Sequence, residues 1–220
     1  MSKLYVLLDN GHGKNTPGKR SPLLQDGSRL YEWEYCREIT AGIKARFEDN
    51  KNIEVIMITP EESDIPLGSR VKRINNYCTK FGTKNCIMLS IHINAAGNGG
   101  WMNARGWSAW TTRGQNNSDK FADCLYEAAE QIIKSNKEYI DTFKGNQVQK
   151  PIRTDFSDGD KDWEAGFQIT KGSNCPAVLT ENMFMDNRLD VDYLLSAEGF
   201  NDIINIHVEG IKKYYNKYKQ

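Results

Sequence analysis

The chain has 220 residues, 39% of them hydrophobic, and its 29 Lys and Arg balance its 29 Asp and Glu. That length and apolar content fit one globular domain over residues 1–220, large enough for a sheet covered by helices. Zero net charge excludes a general nucleic-acid binder, which needs cations to neutralise phosphates, and provides no electrostatic draw toward an anionic membrane.

Taken in chain order, the first predicted element is a strand over the apolar run Leu4–Leu8. The run is too short for a signal-peptide core and no small-residue cleavage site follows it. No stretch approaches the roughly 18 apolar residues of a membrane span, so no insertion is expected. The expectation is synthesis in the cytoplasm without a visible signal peptide; a chain whose leader had been removed would read the same.

Further strands are predicted at Ile53–Ile58, Cys86–Ile91, Gly106–Thr111, Phe167–Thr170 and Ala177–Thr180. Between them lie helical periodicities. Tyr35–Phe47 carries Cys36, Ile39, Ile43 and Phe47 on one face, and Leu67–Tyr77 carries Leu67, Val71 and Ile74. Ser118–Ile133 and Gly199–Tyr215 are two more amphipathic helices. Strands alternating with helices predict an α/β fold: a mostly parallel or mixed central sheet of about six strands, with helices on both faces. Lys14–Arg29, Ala95–Arg105 and Gly145–Asp162 read as long loops, a length usually tied to function or mobility. The five cysteines, Cys36, Cys78, Cys86, Cys124 and Cys175, form no CxxC pair and are expected as small buried hydrophobes, as in a chain folded in a reducing compartment.

The polar residues that end these elements carry the chemistry. His12 follows the first strand in Asp9-Asn10-Gly11-His12-Gly13, and His92 ends another in Ser90-Ile91-His92-Ile93-Asn94-Ala95. The carboxyl edge of an open α/β sheet is where ligands bind. Two acids stand at the start of the Tyr35–Phe47 helix. Extended backwards, the apolar stripe of Cys36, Ile39 and Ile43 takes in Glu32, whereas Glu34 falls with Glu38 and Ala41. A carboxylate on the inward stripe must be paired or metal-bound, because burying it bare costs several kcal/mol. A fourth group, Glu181, ends the apolar strand of Pro176-Ala-Val-Leu-Thr-Glu181-Asn-Met-Phe. Two histidines and a glutamate with one open position are a ligand set of catalytic zinc hydrolases, where a further glutamate commonly shuttles protons.

These four segments, together with Leu67-Gly-Ser-Arg70, Met185-Asp186-Asn187 and the helix around Gly210-Ile211, resemble the zinc-dependent N-acetylmuramoyl-L-alanine amidases of the amidase 3 type. The resemblance runs from about Leu4 to Tyr215. It implies one Zn2+ per chain, held by His12, Glu32 and His92, with Glu181 as the catalytic carboxylate. It implies hydrolysis of the amide between N-acetylmuramic acid and L-alanine in peptidoglycan. The chain departs from the family pattern after the first His-Gly, where Lys14–Arg20 follow, and after Glu181, where Asn182-Met183-Phe184 replaces a Gly-Phe.

Substrate contacts are expected from Asn94, from Arg20, Arg105 and Arg153 toward stem-peptide carboxylates, and from Trp101 and Trp163 as flat surfaces in loops. Trp107 and Trp110, in a strand-like run, are expected in the core, and His207 in a structural or surface place. With neither export signal nor separate wall-binding segment, the expected setting is lytic and endolysin-like, acting on peptidoglycan or muropeptides, with a holin-type release partner if phage-encoded. Another zinc amide hydrolase of wall fragments and a non-catalytic wall-binding module are the alternatives.

Overall fold

The computed structural model describes residues 3–97 and 99–219. Asn98, inside the predicted Ala95–Arg105 loop, and the extreme ends of the predicted 1–220 domain lie outside the described residues.

The apolar runs become strands β1 (Leu4–Asn10), β2 (Ile53–Met57), β3 (Cys86–Asn94), β4 (Ser108–Thr111), β5 (Trp163–Glu164) and β6 (Ala177–Phe184). They form one sheet in the order β2-β1-β3-β6-β4-β5. The first four of these are parallel, whereas β4 runs antiparallel to β6 and parallel to β5. The α/β fold with a mixed, mostly parallel sheet is as the alternation predicts.

Strand periodicity sends alternate side chains to two cores. From β3, Ile87, Leu89 and Ile91 join the larger cluster, under α1 (Glu32–Ala45), α3 (Asn117–Ser135) and α7 (Ala197–Tyr218). Cys86 and Met88 point the other way, with Ile74 and Cys78 of α2 (Leu67–Phe81) and Ile169 of α5 (Gln168–Lys171). All five cysteines are buried and free. Trp107 is fully buried, while Trp110 is half-buried at the edge of the second cluster.

Four segments depart from the sequence reading. Phe167–Thr170, expected as a strand, instead leads into the one-turn helix α5, with Phe167 just before it and Ile169 packed toward α2. Four residues, two of them apolar, are too few for periodicity to separate helix from strand. The edge strand β5 has two residues and is recognisable only from its pairing, Trp163 opposite Trp110. Helices α4 (Lys137–Asp141) and α6 (Arg188–Leu195) begin at Asn136 and Asn187, whose side chains accept backbone N–H bonds as N-caps.

Candidate active site

Adjacent parallel strands deliver the polar residues to one edge. Asn10 of β1 pairs in register with Ile91 of β3, and His92 pairs with Glu181 of β6. His12 therefore stands just past the end of β1, beside His92. Its backbone is left-handed (φ 60°), a sparsely populated region for a side-chain-bearing residue. The turn is held tightly: Gly11 donates its N–H to the Ile91 carbonyl (2.8 Å), and Arg37 and Arg70 both donate to the His12 carbonyl (3.2 and 3.4 Å). Gly11 has no room for a side chain. A Cβ there would sit 2.6 Å from the His92 ring.

Glu32, the first residue of α1, is 1% exposed and lies between the two imidazoles. Its Oε1 accepts from the Ile93 N–H and is 3.1 Å from His92 Nδ1; its Oε2 is 3.4 Å from His12 Nε2 and makes no hydrogen bond. Glu34 is exposed, as the helical stripe predicts. His12, Glu32 and His92 each offer a donor atom within 4.8 Å of the other two. The imidazole planes are nearly perpendicular, centroids 5.0 Å apart. Two nitrogens and a carboxylate, with one carboxylate oxygen buried and orphaned, fit a zinc ion by donor chemistry.

Electrostatics agree with that geometry. Burial holds His12 down to about 4, leaving a neutral ring with a lone pair to offer. Burial also opposes charge on His92, but the hydrogen bond and charge of Glu32 outweigh it and raise the ring's pKa. Burial works against ionised Glu32 as well, yet His92, His12 and the Ile93 N–H bring its pKa below the ordinary value. Glu181 is different. Burial pushes it up to about 7, with the His92 charge pulling down and Glu32 adding to the rise, and its Oε2 has no hydrogen-bond partner.

The sequence profile of the family described as N-acetylmuramoyl-L-alanine amidase, Amidase_3, matches residues 6–213. The chain belongs to this amidase family. It is 26% identical to the endolysin of Bacillus phage SPP1 over 223 residues, covering 100% of this chain and 69% of that protein. It is 22% identical to the sporulation-specific N-acetylmuramoyl-L-alanine amidase of Bacillus subtilis, covering 96% and 68%. An N-acetylmuramoyl-L-alanine amidase structure from Clostridium difficile 630 shares the fold, with a TM-score of 0.73 at 20% identity over 99% of each chain.

Around this cluster the expected substrate residues separate. Arg153 is half-buried over Trp163 and Phe184, at 5.1 and 5.0 Å, close enough for its charge to act on Glu181. Arg20 is exposed in a cleft bordered by Ala95 and Asp186. Asn94 uses its side-chain oxygen to accept from Ala95 N–H (2.8 Å). Trp101 packs on the core with Arg188 over its ring (4.3 Å), beside Leu24. Arg105 departs from expectation. It is 3% exposed and locked to Asp190 (3.1 Å) and Thr142, so it has no hand free for a stem peptide. His207 is buried, bonded to Thr180 and the Ile203 carbonyl, and burial holds it neutral at about 4.

Sequence reasoning passed over two supports. Asn182 donates to the His92 carbonyl and accepts from Trp107 Nε1, both at 2.9 Å. Arg70 braces the His12 turn from α2. Position beside Glu181 pointed toward the first, and the Leu67-Gly-Ser-Arg70 segment toward the second.

Proposed function

We propose that the chain is a zinc-dependent N-acetylmuramoyl-L-alanine amidase, residues 1–220 acting as one catalytic domain. The observation that carries this reading is the meeting of His12, Glu32 and His92 beside an unpartnered Glu181 whose burial lifts it to about 7. His12, Glu32 and His92 would hold one Zn2+ per chain. When bound, zinc supplies a water of lowered pKa, about 7, and a Lewis acid for the carbonyl oxygen.

Glu181 faces His92 across one strand register step. It takes the proton of the attacking water as the lactyl amide carbonyl is hydrolysed, then hands a proton to the departing L-alanine nitrogen. Burial keeps that carboxyl easier to protonate than an exposed one, which suits a group that must take a proton and then return it. Asn182 steadies the His92 backbone, and Arg37 and Arg70 steady that of His12. Arg153, backed by Trp163, and Arg20 in its cleft are the cations for stem-peptide carboxylates, with Asn94 at the end of β3 and Trp101 in the loop after it.

The setting we infer is lytic, at the bacterial cell wall, on similarity to the phage SPP1 endolysin. A chain made in the cytoplasm would reach the wall through a holin-type partner. Among the described residues, no helix is long and apolar enough to cross a membrane. The test is product identification by mass from purified peptidoglycan, joined to metal analysis. A free muramyl lactyl carboxylate with a new L-alanine amine supports the amidase; a new amine elsewhere in the stem makes it another amide hydrolase, and binding without turnover makes it a wall-binding module.

A further inference from the structure

A second group of acids lies away from the zinc centre. Asp119 is in the first turn of α3; Asp160 and Asp162 end the long loop that leads into β5. Each offers an oxygen within 4.8 Å of the other two. Local structure explains part of this. Asp119 accepts from the Asn116 N–H as half of a capping box, Asp162 Oδ2 accepts from the Thr111 hydroxyl (2.5 Å), and Asp160 Oδ2 accepts from Gln115 Nε2 (2.7 Å).

What those bonds leave over is the informative part. Asp162 is 2% exposed, and its Oδ1 has no hydrogen-bond partner. Asp160 Oδ1 and Asp158 Oδ1, in the same loop, are also shielded from water and unpartnered. The adjacent Lys161 offers no relief, because it pairs with Glu130 at 2.9 Å. Leaving buried carboxylate oxygens without donors costs free energy. The stress is visible in the titration of the group: burial, with the facing Asp160 carboxylate, drives Asp162 upward, and burial with the charges of Asp160 and Asp158 raises Asp119.

We propose that Asp119, Asp160 and Asp162 form a binding site for one calcium ion, which fastens the loop before β5 to the start of α3. An all-carboxylate donor set selects a hard cation rather than zinc. Calcium fits better than magnesium, because magnesium keeps most of its water and these oxygens are already shielded from solvent. Asp162 directly precedes Trp163, the ring under Arg153, so the ion would also steady one wall of the amidase site. The proposal stands independently of the amidase reading.

The test uses the zinc-saturated chain in calcium-free buffer. Millimolar Ca2+ should raise Tm by about 5 °C, and Tb3+ should bind once per chain with luminescence sensitised through Trp163 and displaced by Ca2+. Asp160→Asn should be at least as stable as the parent without calcium, since repulsion is relieved, yet show no rise on adding it. If that variant fails to fold, Asp162→Asn is read by the same terbium signal. A parent Tm and terbium signal indifferent to Ca2+, or an undiminished response in the folded variant, overturns the proposal. So does weak, unsaturable binding shared by both proteins.

Discussion

The guanidinium of Arg70 and the carboxylate of Asp9 meet at 3.0 Å, both nearly inaccessible to solvent, under the turn that carries His12. Asp9 also accepts from Ser90 (2.6 Å) and Thr59 (3.1 Å), and the same arginine donates to the Asn10 carbonyl (2.7 Å) and reaches Asp64 (2.8 Å). Strand β1, strand β3 and helix α2 are thus tied at one buried charge. Removing one partner of such a pair is more damaging than removing both, because the survivor is left as an uncompensated buried charge. Arg70→Met should lower stability by about 3 kcal/mol in urea unfolding, and adding Asp9→Asn should recover part of the loss. Full additivity of the two changes would argue that the pair is not coupled.

Glu181→Gln keeps the shape and removes the group proposed to carry the proton. It should retain zinc and the native fold while losing turnover by at least ~10²-fold, read as kcat on a muropeptide. Near-parental kcat would take Glu181 out of the reaction.

The raised pKa of Glu181 also has a stability consequence. Its value rises from 4.5 to about 7 in the folded, metal-free chain, so the group favours folding fully below 4.5 and that contribution is lost as pH climbs through about 7. Between pH 4.5 and 8 the metal-free parent should lose about 3 kcal/mol relative to Glu181→Gln. With zinc bound, the positive charge pulls Glu181 down, so the acid limb of kcat/KM should fall below pH 7. Identical urea midpoints for the two proteins across that range would contradict the assignment.

His12→Ala and Glu32→Ala each remove one donor of the trio. Both should lose stoichiometric zinc by elemental analysis, and chelation of the parent should abolish wall lysis until zinc is returned. Tight zinc, one per chain, in either variant would refute that residue's place among the ligands.

Gly11→Ala adds a single methyl where 2.6 Å separates its position from the His92 ring. The ring or the turn must shift, so zinc affinity should fall about 10–100-fold, the range seen when groups supporting ligands are disturbed. A competitive chelator titration reads this directly; unchanged affinity would mean that the turn relaxes freely.

Much of this arrangement was legible because burial follows period. The stripe Glu32, Cys36, Ile39, Ile43 separated inward from outward residues, and placed Glu32 inside with Glu34 outside. What stayed hidden depends on partners distant in sequence. Arg105 reads as a free loop cation until Asp190, 85 positions later, is seen against it. The short α5 and β5 carry too few residues for any period, and their identity comes from α2 and β4 respectively. Asn182 could be noticed beside Glu181, but its bond to the His92 carbonyl depends on the β3–β6 pairing.

That pairing has a consequence for biosynthesis. The proposed metal trio is drawn from the turn after β1, from α1 and from β3, yet its proposed acid–base partner arrives only with β6. A nascent chain emerging up to α5 would already own three donors and still lack the carboxylate that turns water into a reagent. On the proposed mechanism, hydrolytic competence switches on only when β6 slots between β3 and β4.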